Sequence, residues 1–159
     1  MKDKLYKFKK FEQKEFDYLY ETKKDCFKWY VEKIYGEWDD EIQKKFFKEE
    51  IEKHIEDVKI ITYKGEAIGV FIEYINEEDI SVIDLFYIDK KYQRKGLGTA
   101  ILQEKLEENK NNGRNTILRV FKDNPARFLY KKIGFEIYEE TETHYKMIRK
   151  LDEKEIKLW

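Results

Sequence analysis

The residues best suited to chemistry lie near the middle of the chain, at Gln93-Arg94-Lys95-Gly96-Leu97-Gly98 and Thr99. The run Ile80 to Ile88 before them is dense in apolar and β-branched residues, which predicts a strand. Asp89 to Arg94 is polar and reads as a turn. Leu97, Ile101, Leu102 and Leu106 then recur at helical spacing, which predicts a helix entered through Gly96-Leu97-Gly98. Strand, glycine loop and helix in that order make an anion site. The first helical N–H groups lack intrahelical partners, and the macrodipole concentrates partial positive charge there. Glycine lets the backbone approach a phosphate closely. Arg94 and Lys95 bring two cations to the same place.

The spacing excludes two common phosphate loops. A P-loop needs Lys-Ser/Thr after its last glycine, whereas Thr99 follows Gly98 directly. A Rossmann fingerprint needs three glycines, and two are present. Further on, Asn124-Pro125-Ala126-Arg127-Phe128-Leu129-Tyr130-Lys131-Lys132-Ile133-Gly134-Phe135 reads as a short helix. Asn124 suits its cap and Pro125 its first position. Lys131 and Lys132 suit the last turn, and Gly134 the left-handed residue beyond it.

Together the two stretches resemble motif A (Q/R-x-x-G-x-G/A) and motif B (N-x-x-A-x-x-x-Y-x-x-x-G-F) of the GNAT superfamily of N-acetyltransferases. The resemblance covers roughly 58–150. Lys90 stands where that family often has proline, and Lys95 where many members have glycine; neither removes a required donor.

The elements that must position these motifs are legible in outline. Leu5, Tyr6 and Phe8 predict a short first strand, and Glu12 to Tyr35 a helix with Phe16, Leu19, Cys26, Phe27, Tyr30 and Ile34 on one stripe. Asp40 with Gln43 fits a capping box opening a second helix, Glu41 to about Glu56, with Ile42, Phe46, Phe47, Ile51 and Ile55 inward. Val58 to Tyr63 and Ala67 to Ile75 form a hairpin through Lys64-Gly65. After the central helix come a strand at Thr116 to Phe121, parallel to the central one, then Phe135 to Tyr138 and His144 to Leu151 as an antiparallel pair. The tail, Asp152 to Trp159, carries no motif. The expected fold is α+β: a GNAT-like mixed, mostly antiparallel sheet of about seven strands flanked by four helices, with 1–159 as a single domain.

Composition narrows the partners. The chain has 159 residues and is 42% charged, but 33 Lys+Arg against 34 Asp+Glu leave a formal net charge of -1. Balanced charge argues against nucleic acid, which favours a basic face. One cysteine, Cys26, precludes an internal disulfide and fits a reducing, cytoplasmic setting. Cys26 reads as a small buried hydrophobe rather than a nucleophile. No apolar run reaches the roughly 20 residues that span a bilayer, so no membrane partner is expected. No metal site is expected, and homodimer formation is left open.

What the resemblance implies is an acetyl-CoA-dependent transfer to the primary amine of a small molecule or peptide, by direct attack. The coenzyme would be held by Phe86, Ile88, Gln93, Arg94, Lys95, Gly96, Leu97, Gly98, Thr99 and Asn124. Loop amides would take the diphosphate, and the main chain of Phe86 and Ile88 the acyl carbonyl and pantetheine arm. Tyr130 stands at the position of the general acid, since a phenol of pKa about 10 keeps its proton at neutral pH. Asp84, nine residues before Gln93, resembles the base glutamate of spermidine/spermine acetyltransferases; it reads equally as the partner of a buried cation or tyrosine. Glu37 and Trp38, in the loop between the first helices, and Glu73 would favour a cationic amine. A hydrophobic staple and helix cap explain Trp38 and Asp40 as well. A coenzyme-binding module without efficient transfer, and transfer of a longer acyl group, remain alternatives.

Overall fold

A computed structural model describes residues 5–151 of the chain. The expectation for the tail, Asp152 to Trp159, lies outside the described residues. The elements run β1 (Lys7–Lys9), α1 (Phe16–Tyr35), α2 (Asp40–Lys53), β2 (Val58–Tyr63), β3 (Glu66–Ile75) and β4 (Ser81–Ile88). They continue with α3 (Leu97–Asn111), β5 (Thr116–Phe121), α4 (Ala126–Lys132), β6 (Glu136–Glu140) and β7 (His144–Arg149). The seven strands form a mixed sheet in the order β1-β2-β3-β4-β5-β7-β6. Pairs β1–β2, β2–β3, β5–β7 and β6–β7 are antiparallel, and β4–β5 is parallel. This is the α+β architecture the motifs imply.

The chain divides into two compact units, parted within β3 and β4 and at the start of α3. One holds the described chain up to Ile72 together with Leu85–Leu97. Its core joins Leu19 and Tyr20 of α1 and Phe47 and Ile51 of α2 to Ile60, Val70 and Ile72 of the strands. β3 carries an extra residue, Ile68, because its pairing steps from Ile61↔Gly69 to Thr62↔Ala67. Gly69 beside it is required by close approach: a Cβ there would lie 2.1 Å from the Tyr87 carbonyl oxygen.

The second helix departs from expectation in two ways. Its N-cap is Asp39, whose Oδ1 accepts from the Ile42 N–H at 3.1 Å. Asp40 is engaged elsewhere, accepting from the Tyr20 hydroxyl and, at 3.2 Å, from Trp38 Nε1. The buried stripe is also narrower than the spacing predicts. Phe47 and Ile51 are buried, whereas Ile42, Phe46 and Ile55 are exposed. Helical periodicity marks candidate faces, but only the residues aimed at the sheet are covered.

The other unit holds Glu73–Asp84 and the described chain from Gly98 onward. Here β4 pairs with β5 over Ser81↔Thr116, Val82↔Ile117 and Ile83↔Leu118, while β5 continues against β7 as far as Phe121↔His144. Ile83 of β4, Ile101 and Leu102 of α3, Leu118 and Val120 of β5, Phe135 and Met147 are its buried apolar residues.

Candidate active site

The corner after β4 is built by local chemistry. Asp89 Oδ1 accepts from the Lys91 N–H at 3.1 Å and so opens a 3-10 turn at Lys90–Tyr92. That carboxylate performs the turn-setting task a proline would otherwise perform before Lys91. Arg94 (φ 63°) and Gly96 (φ 79°) then take left-handed backbone. A Cβ at Gly96 would meet nothing within 4 Å, so conformation rather than crowding selects glycine there. α3 starts at Leu97, and its first turn carries no acidic side chain. Lys95 and Arg94 are exposed and Leu97 is buried. Gly98 and Thr99 lie in the first turn of α3, where the N–H groups have no intrahelical partner. A diphosphate fits these residues.

The strand before the corner differs from expectation. Phe86 is half-buried, its ring edge-on to Phe71 at 5.4 Å. Ile88 is buried, and its carbonyl is not free. It accepts from Gln93 Nε2 at 2.7 Å and lies 3.4 Å from Cys26 Sγ. The Gln93 side chain thus folds back on the strand. Cys26 is half-buried, and burial, with Asp25 adding to it, pushes its thiol up to about 11. It is a donor and packing group, not a nucleophile.

Tyr130 lies on α4, half-buried, with its ring edge-on to Phe135 at 5.8 Å. Burial pushes its phenol up to about 12. Asn124 lies just before this helix, whose N-cap position is Pro125, and its Oδ1 accepts from the Ala126 N–H at 2.9 Å. Asp84 is exposed on β4, between buried Ile83 and Leu85. Burial alternates along the strand, and Asp84 lies on its more exposed side.

The expected acceptor residues divide. Glu37 is exposed in the loop between α1 and α2. Trp38 is buried at 8% exposure, and its indole N–H donates to the Tyr20 hydroxyl at 2.9 Å. A ring so enclosed offers no open face to a cation, and its work is to lock α1 to the turn before α2. Hydrogen bonds from Tyr20 and from Lys24 hold the Asp40 carboxyl at about 2. Glu73 Oε2 accepts from the Ser81 hydroxyl and, at 2.9 Å, from Asn109 Nδ2. Asn109 Nδ2 also donates to Thr116 Oγ1 at 2.8 Å. Ser81, Asn109 and Thr116 are all buried, so the carboxylate satisfies polar groups that would otherwise be stranded.

A family model described as "Acetyltransferase (GNAT) domain" matches residues 21–151. The chain belongs to the GNAT acetyltransferase family. Solved structures agree with this GNAT chain in fold. It is similar to PH1933 from Pyrococcus horikoshii OT3, with TM-score 0.73 and 20% identity over 92% of this chain and 99% of that one. A PaiA N-acetyltransferase from Thermoplasma acidophilum, in complex with coenzyme A, gives 0.70 and 19% over 91% and 98%. Naa50 from Arabidopsis thaliana, in complex with the bisubstrate analogue CoA-Ac-MVNAL, gives 0.60 and 18% over 92% and 99%. No curated protein matches the sequence. Among the described residues there is no group of His, Cys, Asp and Glu able to hold a metal ion. None of the described helices is long and apolar enough to cross a membrane.

Sequence reasoning missed the contacts that hold the loop, above all the Tyr18 hydroxyl, which donates to Asp89 Oδ2 at 2.7 Å. Residues 71 positions apart carry no local signal of that pairing.

Proposed function

We propose that this protein is an N-acetyltransferase that moves an acetyl group from acetyl-CoA to a primary amine, the whole chain, 1–159, acting as one catalytic domain. The observation that carries the reading is the corner from β4 to α3. Its loop has left-handed backbone at Arg94 and Gly96, two exposed cations, and a helix start free of acidic side chains. These features suit an anion bound by main-chain N–H groups.

When bound, the coenzyme supplies an activated thioester. Loop amides from Gln93 to Thr99 hold its diphosphate, with Arg94 and Lys95 adding charge. The Phe86 N–H donates to the acyl carbonyl as negative charge develops; a preorganised donor of this kind is worth about 2.7–4 kcal/mol. Tyr130 gives its proton to the departing sulfur. In balance, the amine nitrogen bonds to the acyl carbon, the C–S bond breaks, the thiolate takes the Tyr130 proton, the amine's surplus proton leaves to Asp84 or solvent, and the Tyr130 phenolate regains a proton from solvent. Exposed Asp84 needs no burial for that task. Asn124 orders the helix bearing Tyr130. Glu37 is the acidic side chain available to a cationic acceptor, and the peptide analogue seen with Naa50 makes a peptide amine one acceptor class to try.

A coenzyme-binding protein without efficient transfer is the second reading. The Gln93 amide seated on the Ile88 carbonyl favours it, since that acceptor is already satisfied. Free-thiol release from acetyl-CoA across a panel of polyamines, amino acids and peptide N-termini decides between them. Acceleration by at least one amine supports the transferase. Release no faster than hydrolysis with every amine, despite tight coenzyme binding, supports the binding protein.

A further inference from the structure

One side of α1 reaches the segment after β4 through several side chains. Tyr18 Oη donates to Asp89 Oδ2 at 2.7 Å, Cys26 Sγ lies 3.4 Å from the Ile88 carbonyl oxygen, and Asp25 Oδ1 stands 3.8 Å from Lys90 Nζ. Tyr18 precedes the other two by about two helical turns, so the three share a side of the helix. The contacts are unequal. The Lys90–Asp25 pair is exposed and contributes little. A thiol is a weak donor. The phenol-to-carboxylate bond is short and charge-assisted, the strongest kind available here.

Asp89 is the residue on which the loop turns. One carboxylate oxygen takes the Tyr18 hydroxyl, and the other caps the Lys90–Tyr92 turn through the Lys91 N–H. Its own N–H donates at 2.7 Å to the carbonyl of Ile68, the extra residue on β3. The bulge therefore aims a carbonyl at the end of β4, and Tyr18 meets the same residue from α1. Beyond Asp89, the left-handed Arg94 is a conformation that a free chain seldom adopts. Something outside the loop must make it persist.

We propose that Tyr18 is a positioning residue of the coenzyme loop: its hydroxyl fixes Asp89, and Asp89 fixes the turn from which Gln93–Gly98 departs. The loop N–H groups are then arranged before the anion arrives, and binding bears less ordering cost. Burial, with the Asp89 carboxylate adding to it, raises the Tyr18 phenol, which keeps it a donor across the range of any assay. This inference rests on reading the corner as the acetyl-CoA site.

The test is a double-mutant cycle on acetyl-CoA affinity by calorimetry, with Tyr18→Phe, Asp89→Ala and the pair. Tyr18→Phe should weaken binding by about 3- to 10-fold and raise the KM for acetyl-CoA alike, with turnover at saturation falling by less than about twofold. In the Asp89→Ala background the same change should cost less than about twofold. An affinity that Tyr18→Phe does not alter, or losses that simply add, overturns the proposal. Wild-type protein that binds no acetyl-CoA removes the site reading and this inference together; wild-type binding with an unaffected variant removes this inference alone. Should Asp89→Ala fail to fold, amide exchange decides with Tyr18→Phe only. Faster exchange across 91–98 in the free variant, slowed again by saturating acetyl-CoA, supports the proposal, and unchanged exchange overturns it.

Discussion

The Gln93 side-chain amide donates to the Ile88 main-chain carbonyl at 2.7 Å, so the first residue of the glycine motif closes back on the strand it follows. On the proposed reading, a pantetheine arm docking along β4 would compete with the amide for that carbonyl. Gln93→Ala should therefore speed acetyl-CoA association by about 2- to 10-fold, the reach of one net hydrogen bond. Stopped-flow binding at several coenzyme concentrations measures it. An association rate unchanged or slower in the variant shows that the amide does not gate the arm.

Tyr130 should matter to chemistry and little to coenzyme affinity. Tyr130→Phe is expected to lower turnover by about 100-fold and to shift the acetyl-CoA dissociation constant by less than about twofold. Burial raises its phenol to about 12, so the proton is held well above the ordinary value of about 10. Its contribution to stability is complete below about pH 10 and is lost as pH rises toward 12. Wild-type turnover should therefore climb with pH as the amine deprotonates, with no fall from Tyr130 below that range. A basic limb near pH 9 that vanishes in Tyr130→Phe would contradict this.

Glu73 is expected to support the fold rather than the acceptor. Glu73→Ala leaves the buried Ser81 and Asn109 donors without their carboxylate and should cost about 1–3 kcal/mol. Urea denaturation would show a lower midpoint at unchanged slope. Turnover per folded molecule should change by less than about twofold. A rise in amine KM with stability unaltered would instead put Glu73 in the acceptor pocket.

What the sequence made legible was local. The helix start at Leu97, the left-handed Gly134 and the Asn124 side-chain bond to the Ala126 N–H each depend on residue types within one turn of chain. Long-range partners were not legible. Tyr18 with Asp89, Trp38 with Tyr20 and Cys26 with Ile88 meet only because the sheet brings distant segments together. Asp84 illustrates a subtler failure. It read equally as the partner of a buried cation or tyrosine, but burial alternates along Ile83, Asp84 and Leu85, and Asp84 is exposed. The N-cap moved from Asp40 to Asp39 for a similar reason, because Asp40 serves Tyr20 and Trp38.

Calorimetric titration of acetyl-CoA into wild-type protein and Gly98→Trp bears most directly on the central claim, that a diphosphate-bearing thioester is held where β4 passes into α3. Wild-type protein should bind at one site per chain, and the indole in the first turn of α3 should abolish binding while circular dichroism remains that of the folded chain. Equal binding by both proteins, or none by the wild type, would contradict the account.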